Sequence, residues 1–212
     1  MGPARYKDMK SSFRALVLAL VALLIPVAAP AATPGSQTIV LAGGCFWGMQ
    51  GVFERLRGVT DTTVGFSGGS ASTANYETVS GGETGHAESI KITYDPRVIT
   101  FRQLLDVYFL VAHDPTELNR QGPDDGTQYR SAIFYTTAAQ RAASLAYIAS
   151  LTRRHVYGAP IVTQVVAFHA FYPAEEYHQH YMDHNPNEPY IVFNDRPKVE
   201  NLERRFPQLL KR

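Results

Sequence analysis

"TIVLAGGCFWGMQGVFERLRG", residues 38–58, changes its hydrophobic period in the middle. Ile39, Val40 and Leu41 form a compact apolar run that stops at Gly43, the pattern of a buried strand. From Cys45 onward, Phe46, Met49, Val52, Phe53 and Leu56 recur at helical spacing as far as Gly58, a suitable C-terminal stop. The stretch predicts a strand running into a helix, with Cys45 in the helix's first turn. Cys45 is the only cysteine among 212 residues. A free cysteine is most often an inert small hydrophobe, so its place between a glycine pair and an aromatic pair asks for a reason. In a first turn, unpaired backbone N–H groups and the helix dipole favour the thiolate and lower the pKa. Gly43 and Gly44 would clear the approach to the sulfur. Phe46 and Trp47 would wall a small apolar pocket, or simply pack in the core.

Further strands are predicted over "VTDTTVGFSGG" (59–69), "HAESIKITYDP" (86–96), "RSAIFYTT" (130–137) and "PIVTQVVAF" (160–168). Helices are predicted over 100–113, capped by Thr100, and over 138–154, capped by Thr137. A short helix follows over "PAEEYHQHYMDH" (173–184), with Pro173 near its start. The segment from Asn185 mixes prolines with isolated aromatics and reads as irregular. This order predicts one mixed α/β (α+β) domain, a small mixed sheet with flanking helices and long loops.

Two glycine-rich connections, 75–89 and 121–131, carry Tyr76, His86, Glu88, Asp124, Asp125, Gln128, Tyr129 and Arg130, and such loops often hold binding residues. Glu88 alternates with Ile90 and Ile92. It therefore faces the apolar side of its strand, where a carboxyl is desolvated and its pKa raised.

The N-terminus has the order of a secretory signal. Arg5, Lys7, Lys10 and Arg14 precede the apolar run "ALVLALVALLIPVAA" (15–29), and Ala29-Pro30-Ala31 has cleavage-site spacing. The run is short for a membrane span of about 20 residues. We expect a signal peptide over 1–31, a mature domain over 32–212, and a periplasmic or secreted product, with an uncleaved anchor as the alternative. With 20 basic and 19 acidic residues the chain is formally +1, which leaves no electrostatic footprint for nucleic acid. A single cysteine forms no internal disulfide.

Three rival readings remain at this level. His178, His180 and His184 lie close together, and His180 and His184 could grip zinc with Asp183 or Cys45 as a further ligand, although no HExxH pattern accompanies them. Cys45 could pair with a histidine as a hydrolase nucleophile. The aromatics and loops could also serve a non-catalytic peptide-binding module.

"GGCFWG" (43–48), "YETVSGGETGHAES" (76–89), "GPDDGTQYRSAIFY" (122–135) and "FYPAEEYHQHY" (171–181) together resemble the signature segments of the peptide methionine sulfoxide reductase A family. The similarity runs in order from Thr38 to Asn194. It implies a two-layer α/β sandwich and reduction of methionine S-sulfoxide, free or in oxidatively damaged proteins. By the resemblance Cys45 is the nucleophile, Phe46 and Trp47 hold the sulfoxide methyl, and Tyr76, Glu88 and Tyr129 bind its oxygen. Glu88 is also the general acid that such chemistry wants. Asp124 corresponds to an acidic binding residue, and His178 to a histidine near the site with a less direct role. The resemblance implies no metal and no cofactor; we expect an external thiol or thioredoxin-like reductant as electron donor, and a monomer. Many members carry further cysteines that resolve the sulfenic acid as a disulfide. This chain has none, so an external thiol must reduce Cys45 directly.

Overall fold

The computed structural model describes residues 1–2 and 35–212, so the leader read over 1–31 lies, beyond its first two residues, outside the described residues. Among the described residues no helix is long and apolar enough to cross a membrane.

The opening stretch folds as its periodicity predicts. Strand β1 (Gln37–Ala42) leads through Gly43, Gly44 and Cys45 into helix α1 (Phe46–Phe53). Then come β2 (Val59–Ser67), a short helix α2 (Tyr76–Ser80), β3 (Ala87–Tyr94) and α3 (Phe101–Val107), which continues as a π turn over Tyr108–Ala112. A two-residue ladder pairs β4 (Arg120–Gln121) with β5 (Asp124–Asp125) inside the long loop. β6 (Ala132–Tyr135), α4 (Ala138–Arg153), β7 (Gln164–Ala167) and β8 (Tyr172–Pro173) follow. Thr100 forms a reciprocal capping box with Gln103, and the Thr137 side chain accepts the Gln140 N–H.

Six strands form one sheet in the order β7-β6-β1-β3-β2-β8. All pairs are antiparallel except β6–β7, which run parallel, as a crossover through α4 requires. Ile39 and Leu41 on β1 and Ile90 and Ile92 on β3 point to one face. There they pack with Met49, Val52, Phe53 and Leu56 of α1 and with Leu104, Leu105 and Tyr108. Val40, Ala42 and Phe134 occupy the other face, beneath Phe168 and Phe171. One sheet carrying its main helical layer on one face is the two-layer α/β arrangement expected.

Two sequence expectations need correction. Residues 173–184 do not make one helix. A 3-10 turn over Glu176–His178 and a four-residue helix α5 (Tyr181–His184) are separated by His180 in left-handed backbone at φ +54°. The break lets the Gln179 side chain pair with the β2 edge: its Oε1 accepts the Val64 N–H at 2.9 Å and its Nε2 donates to Val64 O at 3.0 Å. The segment after Asn185 is not irregular either. A π turn over Ile191–Asp195 runs into α6 (Arg196–Arg205), which buries Val199 and Leu202.

This last segment and α5 pack against α1 closely enough to need glycine there. A Cβ at Gly48 would collide with Asp195 Oδ1, and one at Gly51 would stand 2.6 Å from Met182 Sδ. Gly48→Ala is therefore expected to destabilise the fold by about 1–3 kcal/mol through overpacking, despite alanine's better helix propensity. Gly158→Ala, with open space around it, is expected to stay within about 0.5 kcal/mol of the parent. Urea midpoints of the two variants check this pair.

Candidate active site

A cleft of about 350 Å³ opens at the start of α1, lined by Cys45, Phe46, Trp47, Tyr76, Glu88, Asp124, Tyr129, Glu188 and Tyr190. Seven of the eight residues that the resemblance assigned to the site thus converge. Size alone does not pick out this cleft. A larger groove of about 540 Å³ beside Glu54, Asp61, His180 and Glu203 has no thiol, and much of its charge is internally paired through Glu54–Arg55, Glu54–His180 and Arg55–Asp183.

Cys45 is the N-cap of α1, one position before the first turn where the sequence places it, and is only 7% exposed. Burial pushes its thiol well above the ordinary range, with Glu88 and Asp195 adding repulsion. Lys198 and a hydrogen bond from the Trp47 backbone N–H act the other way. The expected lowering of the pKa by the helix end is present in kind but overruled by desolvation. The resting group is a thiol.

The glycine pair has a different task from the one expected. At Gly43 a Cβ would stand 2.9 Å from His113 Cγ, and at Gly44, φ +86°, 2.5 Å from Gln121 Cγ. These glycines let neighbouring side chains close over the strand–helix junction rather than clear a path for substrate.

Glu88 lies on β3 opposite Phe66 of β2, 2% exposed, on the face predicted from alternation. Its Oε2 accepts the Phe46 backbone N–H at 3.1 Å. Burial pushes its carboxyl up to about 8, against that hydrogen bond and with Asp124 and Asp195 adding to the rise. At pH 7 Glu88 is a neutral acid, so its repulsion of a Cys45 thiolate is largely removed. Tyr76, at the start of α2, and Tyr129, in a 3-10 turn over Thr127–Tyr129, are both pushed up, chiefly by burial. Both hydroxyls remain proton donors. Arg130 ties their surroundings together, donating to Gly85 O, His86 O and Thr127 O, each at 2.9 Å.

The aromatic wall is held from behind. Phe46 packs against Phe66 at 5.9 Å and Tyr76 at 6.3 Å between ring centroids. The Trp47 indole stacks on Tyr181 at 3.9 Å and 12°, meets Tyr190 edge-on at 5.9 Å, and donates its Nε1–H to His178 Nδ1 at 3.1 Å. His178, expected among the substrate-binding residues, does not line the cleft. It is buried and acts through Trp47. His180 bonds Glu54 and His184 is exposed, so the histidine trio does not converge. Among the described residues no group of three His, Cys, Asp or Glu side chains is arranged for a metal ion.

Sequence reading missed Tyr190 and Glu188 on the cleft wall and Asp195 and Lys198 beneath it. Tyr190 donates to Asp124 Oδ2, which fixes the acid that faces the opening. A signal was present: Pro197 near the helix start and Val199 and Leu202 three apart are the marks of a short amphipathic helix.

A sequence model described as peptide methionine sulfoxide reductase matches residues 37–210. A protein of Mesorhizobium japonicum named peptide methionine sulfoxide reductase MsrA 2 is 55% identical over 84% of this chain and 91% of its own length. Its namesake from Synechocystis sp. is 49% identical over 84% and 83%. Among solved structures, reduced Mxr1 of Saccharomyces cerevisiae superposes with a TM-score of 0.67 at 37% identity, covering 73% of this chain and 88% of that one. Methionine sulfoxide reductase A of Corynebacterium diphtheriae gives 0.65 at 34% identity over 74% and 78%.

Keeping Glu88 neutral carries a stability consequence with a definite sign. The unfolded chain releases this proton near pH 4.5 and the folded chain near 8, so stability falls as pH rises through that window and levels off above it. Glu88→Gln can still accept the Phe46 N–H and has no proton to lose. Its stability relative to the parent is expected to rise by about 3 kcal/mol between pH 4 and pH 7, read from urea denaturation at the two pH values.

Proposed function

The chain belongs to the peptide methionine sulfoxide reductase family, and from that premise we propose how its residues divide the reaction. The enzyme is an oxidoreductase that reduces methionine sulfoxide to methionine at the expense of thiols. The observation that carries the residue assignment is one cleft that gathers the chain's only thiol and a neutral buried carboxylic acid.

A sulfoxide sulfur is a poor electrophile until its oxygen is protonated or firmly hydrogen-bonded. The methyl group rests against Phe46 and Trp47, which places the oxygen toward Tyr76, Tyr129 and Glu88. Glu88 gives its proton to that oxygen as general acid while the tyrosine hydroxyls hold it. Cys45 loses its own proton and attacks the sulfur. Methionine departs as the sulfide, reduced by two electrons, and the oxygen stays on Cys45 as a sulfenic acid. The proton given by Glu88 is offset by the one released from the thiol, so the half-reaction is proton-neutral. Asp124, oriented by Tyr190, contacts the polar part of the substrate.

With one cysteine in the chain, resolution comes from outside. One thiol condenses with the sulfenic acid, releasing water and forming a mixed disulfide on Cys45. A second thiol then frees Cys45. The substrate is the S-epimer, free or in oxidised proteins. The enzyme acts as a monomer, exported and released from its leader near Ala32.

Four measurements test these assignments. Incubation with the two resolved epimers and dithiothreitol should consume one alone, and consumption of neither overturns the reading. Without reductant, one substrate equivalent should release one methionine and leave a single added oxygen on Cys45, lost on adding thiol. Glu88→Gln should slow this single turnover by about 10²–10⁴-fold while changing substrate binding less; an unchanged rate would remove Glu88 from the acid's role. N-terminal sequencing of protein from an exporting host should begin near Ala32.

A further inference from the structure

Beneath α1, on the side away from Glu88's strand, lies an ion pair that the reaction described so far does not use. Asp195 is fully buried at the end of the π turn, and its Oδ1 accepts from Lys198 Nζ at 3.0 Å. Both groups are set into the notch that Gly48 leaves: a Cβ there would strike Asp195 Oδ1 and stand 3.0 Å from Lys198 Nζ. Gly48 lies one turn beyond Cys45. The other oxygen of Asp195 is buried without a hydrogen-bond partner, so the carboxylate is only half compensated. Placing two opposite charges in the packed interior of the helix that presents the nucleophile is costly unless they do something there.

We propose that the Asp195–Lys198 pair sets the reactivity of Cys45, with Lys198 favouring the thiolate and Asp195 opposing it. They are positioning residues, acting through the field and not by touching substrate. The inference rests on Cys45 being the nucleophile. Both charges act on the Cys45 thiol in these opposite senses. The remaining ionisable groups facing this region are Glu88 from β3, Asp124 from β5, Glu188 and Tyr190 ahead of the π turn, Tyr76 from α2, Tyr129 from the 3-10 turn, His178 behind Trp47, and His113 after α3. Burial favours the neutral form of Glu88 and Asp124 and of His113 and Tyr190. Lys198 is thus a cation poised to stabilise charge at Cys45. Burial keeps the thiol mostly protonated at rest, with Asp195 adding to that effect and Lys198 opposing it, which limits attack by oxidants on a cysteine that no second cysteine can rescue.

Because Cys45 is the only cysteine, the rate of iodoacetamide alkylation against pH reads its ionisation alone. Lys198→Met is expected to move the profile to higher pH, with alkylation at pH 7 slower by about threefold or more. Asp195→Asn is expected to move it to lower pH, with alkylation faster by about the same factor; threefold corresponds to about half a pH unit. Opposite displacements are the signature, since mere loosening of α1 would move both variants in one direction. Lys198→Arg should retain the parent profile, and this variant with Lys198→Met decides the matter should Asp195→Asn not fold. Displacement of both variants the same way, or no displacement with Lys198→Met, overturns the proposal. Alkylation does not depend on turnover, so a failure of Cys45 as nucleophile would show separately, as activity retained by Cys45→Ser.

Discussion

One hydrogen bond, from the Phe46 backbone N–H to the Glu88 carboxyl, joins the start of α1 to the third strand of the chain. It brings Cys45, one residue earlier, beside the buried carboxyl that shares its cleft. The bond also spends a free N–H of the helix's first turn on a side chain rather than on water. It favours the ionised carboxyl, and burial still prevails. The neutral carboxylic acid is therefore a product of the packing around it, of Phe66 on the neighbouring strand and Phe46 on the helix. Loops contribute the remaining donors, and Arg130 secures them by bonding three carbonyls of two different segments. Precision at the cleft depends on these few cross-links because the loops have little regular structure of their own.

The sheet and the nucleophile's junction were legible because their signals are local. Ile39 to Leu56 changes period once, Glu88 keeps step with Ile90 and Ile92, and Thr100 and Thr137 cap helices within four residues of themselves. What failed was decided at long range. Gly43 and Gly44 look like an open approach until His113 and Gln121 are seen to fill the space above them. The Cys45 thiol looks activated until its desolvation is counted, a quantity that no stretch of sequence contains. Residues 173–184 hold a helical composition, yet Gln179 satisfies the backbone of Val64, 115 residues away, and the helix gives way. His178 is near the site as expected, but only the fold reveals that it lies behind the cleft and accepts the indole N–H of Trp47.

The C-terminal segment shows how a short chain extends a small active site. Tyr190 and Glu188 complete the cleft wall, and α6 seals α1 from the other side. Gly48 of α1 makes this contact possible, trading helix propensity for close approach. A segment that reads as irregular in the sequence is an integral wall of the cleft.

Trp47 is the only tryptophan of the protein, and it lines the cleft while resting on Tyr181 and bonded to His178. The molecule thus carries its own optical reporter at the point of chemistry, with no background from other indoles. Emission from this ring senses the polarity of whatever occupies the cleft, whether water, a polar sulfoxide or the apolar sulfide that replaces it. Binding, oxygen transfer and release each change that surrounding, so a single catalytic cycle can be followed by light in the unlabelled protein.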